Sequence, residues 1–374
     1  MIIELRKVSH QNKGAELMLR ALVAHYAGRP EVTLCGRVQV GPRERRAALG
    51  IRALLYASNR GWFATTPRAV PPRGLRRRLG LVHPADLDAV LDASGFAYGD
   101  QWGPDKARQA ASYFRYVRRR GGKVVLMPQS MGPFEKPAVR DAARRLLDQV
   151  DLAFPRDATA LECVTDLGGA DGRVFQAPDF TPLVDGAPPP DLEIPEGAAA
   201  IIPNQKMIQM TGARPEAYER LVADVIGGFG DRGLRPFFLR HAKRDEELIG
   251  RIQALLPAPI PVVREPDALR IKGVIGRCRV ALCSRYHGLV SALSQGVPSI
   301  ATGWSHKYRH LVEEYGCPEA LVDVDADREA VRERVASLLE PSHHAALRAR
   351  LAERAAWHRD RVRSMWERVD ALLG

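Results

Sequence analysis

The sequence predicts an α/β protein made of two Rossmann-like domains, each with a parallel sheet flanked by helices. Short apolar runs alternate with longer amphipathic segments along most of the chain, which is the pattern of βα units in a parallel sheet. At 374 residues, the chain is long enough for two cores of ordinary size. Its content of 45% hydrophobic and 27% charged residues is typical of a globular protein.

The first predicted domain spans residues 1–181. Between 42 and 84 the chain is rich in Arg, Pro and Gly, and there we expect a helix near 47–56 and a loop over 65–78. The other segments follow the βα pattern: strands near 2–8, 89–93, 124–128, 152–155 and 174–176, and helices near 15–26, 106–120, 138–149 and 158–167.

Residues 182–197 are Pro-rich with few large apolar side chains, which indicates a linker. A second domain is predicted over 198–340, and a helical tail over 341–374 should pack back on the body. The second series comprises strands near 199–203, 236–240, 261–263, 280–283, 299–302 and 320–323, and helices near 215–229, 245–255, 267–276, 288–295, 308–315 and 328–339.

Charge narrows the classes of partner. Lys and Arg number 56 against 44 Asp and Glu, a balance of +12 that suits phosphorylated substrates, anionic lipid headgroups or nucleic acid. The basic residues are scattered, and the sequence shows no RNP-like aromatic pattern, zinc-finger spacing or basic tail. We therefore expect no nucleic-acid partner.

The cysteines and the apolar runs limit the cofactors and the cellular location that we expect. Five cysteines without a C-x-x-C pair predict neither a disulfide framework nor a metal site, and no cofactor is expected. Met1 to His10 reads as a strand with internal charges and not as a signal peptide. No apolar run approaches the ~20 residues of a membrane span. We expect a cytoplasmic protein, with peripheral contact at the inner face of the membrane left open.

The most informative segment runs from Ala281 to Lys307. An apolar strand leads into Ser284-Arg285-Tyr286-His287, and a small-residue helix follows. Such a turn gathers backbone N–H groups and a helix dipole at one point, which favours an anion. Arg285 and Lys307 add fixed cations and His287 adds a titratable group. The segment predicts a site for a small phosphorylated or carboxylated ligand, although Arg or His at such a turn can also be a cap or a solvated edge.

Five segments between about 9 and 315 resemble, in order, the motifs of the polysaccharide pyruvyl transferase family. These are Asn12-Lys-Gly-Ala-Glu16, the loop Asp92–Asp100, Pro128-Gln-Ser-Met-Gly-Pro-Phe134, Pro155-Arg-Asp157 with Ala177-Pro-Asp179, and Arg285-x-His287 followed by Gly296-x-Pro298 and Lys307. Two departures concern the acceptor side. Ala15 and Glu16 follow Gly14 where the family more often has Asp or Asn, and the Asp92–Asp100 loop has fewer consecutive glycines.

The resemblance implies a GT-B-like architecture, with two sheets facing an interdomain cleft, and transfer of a pyruvyl group from phosphoenolpyruvate to sugar hydroxyls. Arg156 and Arg285 would bind the donor, since a guanidinium can hold a carboxylate or phosphate through two bonds. Ser284 and Lys307 would assist, Lys307 by neutralising the departing phosphate. His287 would be the general acid; the alternative is that it only binds phosphate.

The acceptor side would be a sugar or glycolipid. Because ligands of open α/β sheets bind beyond the carboxyl ends of strands, its candidate residues are Asn12, Glu16, Asp92, Asp100, Gln129, His241 and Arg244. Two alternative functions stay open: a GT-B glycosyltransferase with a nucleotide-sugar donor, and a non-catalytic protein that binds anionic glycans. The absence of Asp and Glu between Tyr286 and Lys307 favours a compact anionic donor. The acceptor's identity, the ketal positions and the oligomeric state are left open.

Overall fold

The structure, a computed structural model, describes residues 1–55, 71–168, 172–212 and 214–374. These residues form two compact units. The first unit comprises Met1–His10, Met18–Phe180 and Val362–Gly374. The second unit comprises Gln11–Leu17 and Thr181–Arg361. The predicted linker, 182–197, therefore lies wholly within the second unit.

The first unit is built on a parallel sheet. Its strand order is β4-β3-β2-β1-β5-β7, with β6 and β8 both pairing with β7. β5 and most of β7 are buried along their length, as expected for central strands covered on both faces. The strands are β1 (Ile2–Arg6), β2 (Thr33–Gly36), β3 (Arg52–Leu54), β4 (Leu81–Val82), β5 (Ala89–Asp92), β6 (Phe96–Tyr98), β7 (Lys123–Met131) and β8 (Leu152–Pro155).

Amphipathic helices cover this sheet. In one of them, Pro137 occupies the first turn, where its missing N–H costs nothing, and Val139, Ala142 and Leu146 form the buried stripe. The helices are α1 (Lys13–His25), α2 (Arg43–Ala48), α3 (Arg73–Arg78), α4 (Asp105–Arg118), α5 (Pro137–Leu147) and α6 (Ala158–Thr165). The first turn of α1 belongs to the second unit and the rest to the first.

The second unit has a five-stranded parallel sheet in the order β11-β10-β9-β12-β13. Its central strand is the uniformly apolar Ala-Ala-Ala-Ile-Ile, buried throughout. The strands are β9 (Ala198–Ile202), β10 (Arg235–Leu239), β11 (Val262–Val263), β12 (Val280–Cys283) and β13 (Ser299–Ala301). The helices are α7 (Lys206–Met210), α8 (Pro215–Gly230), α9 (Glu246–Gln253), α10 (Ala268–Gly276), α11 (Tyr286–Leu293), α12 (His306–Glu314), α13 (Arg328–Leu339) and α14 (Pro341–Leu373).

The tail is one helix of 33 residues, α14, whose last part belongs to the first unit. There Trp366 stacks on the ring of His25, with centroids 3.6 Å apart. Asp370 accepts hydrogen bonds from His25 Nε2 at 3.0 Å and from Arg29 Nη2 at 3.0 Å. These contacts hold the last turns of α14 on α1. Across the described residues, no helix is long and apolar enough to span a bilayer.

Several sequence-based expectations need correction. The helix expected near 47–56 is wrong, because α2 ends at Ala48, Gly50 turns the chain with φ of +67°, and β3 follows. Of the loop expected over 65–78, residues 65–70 lie outside the described residues and 73–78 form α3. The strands expected near 174–176 and 320–323 are single bridges, of Val174 to Ala153 and of Leu321 to Ala301.

Candidate functional site

In the second unit, polar and basic side chains follow neighbouring strands at the carboxyl edge of the sheet. Asn204 follows β9, His241 follows β10, and Ser284 and Arg285 follow β12. Because β10, β9 and β12 are adjacent and parallel, these residues are brought to one edge, where ligands of open α/β sheets bind. The strand order therefore places these four residues together at one end of the second sheet.

Arg285 is the buried cation of this edge and immediately precedes α11. Its Nη2 donates to both carboxylate oxygens of Asp245, with 2.5 Å to Oδ1. Asp245 is itself fully buried and also accepts from the backbone N–H of Ala242 at 3.1 Å. Within the described part of the chain, Nε of Arg285 has no hydrogen-bond partner. Asp245 thus anchors one end of the guanidinium, and the predicted contact with the donor would use Nε.

His287 lies one residue into α11 and is partly exposed. The first turn of α1 packs directly on its ring, because a Cβ built on Gly14 would overlap the imidazole, with Cγ only 2.9 Å away. That turn is closed by Asn12, whose Oδ1 accepts from the N–H of Gly14 at 3.0 Å. The beginnings of two helices, α1 and α11, are therefore adjacent to one imidazole, and both favour negative charge.

His241 is buried beside the first turn of α11. Its Cε1 lies 3.5 Å from the position that a Cβ on Gly288 would occupy. Burial lowers the pKa of His241 well below its usual value, and the charges of Arg285, Lys13 and His287 lower it further. The imidazole is therefore neutral at neutral pH. Its Nε2 has no hydrogen-bond partner among the described residues. The cluster is rich in cations even without a charge on His241.

Lys13 and Glu16 lie in the first turn of α1. Lys13 Nζ donates to Glu16 Oε2 at 2.7 Å and also to the carbonyl oxygen of Pro266. Glu16 is almost fully buried and forms an ion pair with Lys13, three residues earlier in the helix. The proposed acceptor contact of Glu16 stays a prediction, while in the structure its carboxylate positions Lys13.

Ser284 is buried within the framework of the turn. Its Oγ accepts hydrogen bonds from Tyr218 Oη and Thr302 Oγ1, both at 2.8 Å. Its carbonyl oxygen accepts from Asn204 Nδ2 at 2.9 Å. Its predicted contact with the donor is untested, and the hydrogen bonds shown here fix the loop that carries Arg285. Sequence reasoning missed Tyr218 and Asp245, which carry no spacing signal because they come from distant segments. It also missed Thr302, which lies inside the Ala281–Lys307 segment.

Lys307 lies in the first turn of α12 and is buried among aromatic rings. Its Nζ is 4.4 Å from the ring centroid of Trp304 and 5.3 Å from that of Tyr286. Tyr286 is in turn an edge-on neighbour of His287, with centroids 5.4 Å apart. Lys307 therefore lies close to the His287 turn. Arg244 is exposed in the short 3-10 turn after His241.

Arg156 follows β8 and belongs to the first unit, whereas Arg285 belongs to the second. Arg156 is buried and donates from Nη1 to Asp179 Oδ2 and from Nη2 to Ser130 Oγ, both at 3.2 Å. Asp157 caps α6 by accepting from the N–H of Ala160 at 2.8 Å. The motifs around 128–134, 155–157 and 177–179 thus meet around one guanidinium.

Two acceptor candidates of the first unit, Asp92 and Asp100, are carboxylates that accept hydrogen bonds from the protein itself. Asp92 is fully buried and accepts from Arg6 Nε at 2.9 Å and from Tyr98 Oη at 3.1 Å. Asp100 accepts from the N–H groups of Glu135 and Lys136, just before α5, at 3.0 and 3.2 Å. Both carboxylates therefore have clear structural partners.

Gln129, in the buried part of β7, has a different environment. Its Nε2 points toward the carbonyl oxygens of Met127 and Asp92, at 3.4 and 3.5 Å. Its Oε1 is buried without a hydrogen-bond partner in the part of the chain that the structure describes. A buried amide oxygen without a partner is costly. The predicted contact of Gln129 with the acceptor would use this oxygen. A search of the described residues finds no group of three or more His, Cys, Asp or Glu that could hold a metal.

Solved structures similar to this chain share its fold at low sequence identity. Anabaena HepE in complex with UDP and glucose matches with a TM-score of 0.60 and 9% identity, covering 99% of this chain and 98% of that one. A putative UDP-N-acetylglucosamine 2-epimerase from Listeria monocytogenes matches with a TM-score of 0.59 and 11% identity, covering 98% and 96%. The spinosyn rhamnosyltransferase SpnG matches with a TM-score of 0.53 and 14% identity, covering 97% and 99%. The predicted GT-B-like α/β fold is thereby confirmed.

Sequence comparisons point to one family. The amylovoran biosynthesis protein AmsJ of Erwinia amylovora is 22% identical over 264 residues, a segment that covers 64% of this chain and 62% of AmsJ. The family model described as polysaccharide pyruvyl transferase matches residues 12–306, which include each of the motifs singled out above except Lys307. The chain belongs to the polysaccharide pyruvyl transferase family.

Proposed function

We propose that this protein transfers a pyruvyl group from phosphoenolpyruvate to two hydroxyls of a sugar, forming a pyruvate ketal and releasing phosphate. The acceptor is a sugar in a cell-surface polysaccharide or glycolipid precursor. Family membership and the likeness to an amylovoran biosynthesis protein support a role in polysaccharide biosynthesis. The observation that carries the proposal is the cluster of Lys13, Arg285 and neutral His241 around His287, where two helices begin.

The donor's chemistry matches this cluster. Phosphoenolpyruvate carries a phosphate and a carboxylate on a three-carbon skeleton, so it needs several donors and cations within a small volume. Arg285 offers Nε in a plane fixed by Asp245, and the starts of α1 and α11 add positive potential. Lys307 extends the cationic surface on the Tyr286 side. A long neutral ligand would gain little from this concentration of charge.

The proposed reaction begins with a proton transfer to the methylene carbon of phosphoenolpyruvate. His287 is the donor, since it is partly exposed and its ring lies at the cationic cluster. The carbon that bears the phosphate becomes electrophilic, and the first sugar hydroxyl attacks it and loses its proton. The C–O bond to phosphate then breaks, and the second hydroxyl attacks the same carbon. Of the two hydroxyl protons, one restores His287 and the other leaves with phosphate.

The test combines two readouts on the purified protein. Phosphate release from phosphoenolpyruvate is measured with a panel of sugar acceptors, and the products are examined by mass spectrometry for a pyruvate ketal. We expect release that depends on both substrates. A parallel series replaces phosphoenolpyruvate with UDP- and GDP-sugars. Turnover of a nucleotide sugar without any release from phosphoenolpyruvate would contradict the proposal and favour a glycosyltransferase.

A further inference from the structure

Two large apolar side chains, one in α3 and one directly after it, are exposed on the same side of the chain. Leu75 is 47% exposed and Leu79, directly after the helix, is 58% exposed. The N–H of Leu79 donates to the carbonyl oxygen of Leu75 at 3.0 Å, so the helical turn continues through Leu79. Residues four apart on a helix lie on the same side. The two leucines therefore form one apolar patch and not two scattered contacts.

Arginines flank this patch. Residues 73–78 read Arg-Gly-Leu-Arg-Arg-Arg and contain no acidic residue. The side chain of Arg73 is 72% exposed and reaches Asp86 only at 3.9 Å, whereas Arg76 turns inward and pairs with Asp86 at 2.7 Å. Arg78 is exposed, one helical step from Leu79. The exposed surface of α3 thus combines leucines with the positive charges of Arg73 and Arg78.

We infer that α3 and Leu79 dock the first unit on a membrane surface that contains anionic phospholipids. Leu75 and Leu79 would enter the boundary between headgroups and acyl chains, and Arg73 and Arg78 would contact lipid phosphates. Basic residues beside exposed apolar side chains on a helix are the combination that binds such surfaces. This surface would be the site of the membrane contact left open by the sequence, and docking there is independent of the proposed reaction.

Other partners fit this surface less well. Nucleic acid would use the arginines but would leave the leucines in water, because phosphate backbones offer no apolar surface. A second protein or a second copy of this chain needs a broader interface, of roughly 800 Å² per partner for a stable complex. A bilayer accepts a small patch, because a few inserted side chains and the negative surface potential act together.

The test is co-sedimentation of the full-length protein with vesicles of phosphatidylcholine alone or with added phosphatidylglycerol. We expect binding to the anionic vesicles that weakens as salt rises. Leu75→Ser with Leu79→Ser, and separately Arg73→Glu with Arg78→Glu, should each weaken binding at least tenfold. The matched controls are Leu255→Ser, at a leucine 49% exposed in the second unit, and Arg348→Glu, at an exposed arginine of α14. Both controls should bind like the unchanged protein.

Three results would overturn the inference. One is equal vesicle binding by the leucine variant and the unchanged protein. Another is binding lost only in Trp357→Ala, since Trp357 is the exposed aromatic of α14 between Arg354 and Arg361, which would place the contact there. The third is a change of oligomeric state in the leucine variant without any change in vesicle binding. Melting temperature and phosphate release with a water-soluble acceptor verify that the variants are folded, and they test the proposed reaction separately.

Discussion

Gly14 lies so close to His287 that any side chain at position 14 would occupy the space of the imidazole ring. The two residues are far apart in sequence, yet both belong to the second unit, because that unit includes Gln11–Leu17. Contact between the first turn of α1 and the ring places backbone N–H groups beside His287. It also explains physically why a glycine is needed in a helix, where alanine would otherwise be preferred.

The first prediction concerns this contact. Gly14→Ala should displace His287 and lower kcat/KM for pyruvyl transfer at least tenfold. Gly227→Ala is the matched control, because Gly227 lies in α8 with open space where a Cβ would be placed. That control should leave activity unchanged and raise the free energy of unfolding by up to about 1 kcal/mol. Normal activity in Gly14→Ala would show that the ring is free to move.

Arg285→Lys should abolish most of the rise in melting temperature that phosphoenolpyruvate causes. A lysine keeps the charge and can still pair with Asp245, but it lacks the planar guanidinium that carries Nε as a further donor beside that pair. We expect donor affinity to fall roughly 10- to 100-fold, the loss of one or two charged hydrogen bonds. Arg264→Lys, at an exposed pair with Glu246, is the control and should change neither quantity. An unchanged shift in Arg285→Lys would remove Arg285 from the donor site.

His287→Gln separates the two roles considered for this histidine. Glutamine can donate a hydrogen bond but cannot release a proton, so a general acid should lose about 10²–10⁴-fold in kcat while the Kd for phosphoenolpyruvate is retained. Isothermal titration and steady-state rates on the same preparation decide the point. His310→Gln, in α12, should behave normally. A weakened Kd with near-normal kcat would assign His287 to phosphate binding.

Asp92→Asn tests whether Asp92 stabilises the fold or contacts the acceptor. Its carboxylate is fully buried against Arg6, and removal of one partner from a buried ion pair typically costs about 3–5 kcal/mol. Chemical denaturation should show a loss of that order. Asp141→Asn breaks an exposed pair with Arg145 and should cost well under about 1 kcal/mol. A stable Asp92→Asn variant that lacks activity would instead support the predicted contact with the acceptor.

Acidification should destabilise the protein in part through His241. Burial and neighbouring cations lower the pKa of His241 in the folded chain, so between that value and its pKa in the unfolded chain, near 6.5, the unfolded state binds the extra proton. Stability therefore falls as pH decreases below about 6.5. His241→Gln should reduce the drop in melting temperature between pH 7.5 and pH 5. His343→Gln, in the first turn of α14, is the control; an equal effect of both variants would contradict the assignment.

The sequence was sufficient to predict the architecture, because the strands and helices of a parallel α/β fold alternate in a regular apolar pattern. The uniformly apolar β9 and the alternation of strands and amphipathic helices predicted two parallel sheets. The strand β3 was missed, because only Leu54 of its three residues is buried and Arg52 is exposed, so it lacks the apolar run of a central strand. The helix expected near 47–56 failed because Gly50 and the local strand pairing override the helical propensity of its neighbours.

Motif order in the sequence by itself determined the family and the candidate residues, because the loops at strand ends carry recognisable side chains in a fixed order. Only the tertiary structure decided which side chains meet. Asp245 pairs with Arg285 across 40 residues of sequence, and Gly14 packs on His287 although 273 positions separate their numbers. Such contacts depend on strand order and helix packing, which leave no local pattern in the sequence. Local motifs therefore identify the candidate side chains, and the fold brings them into contact.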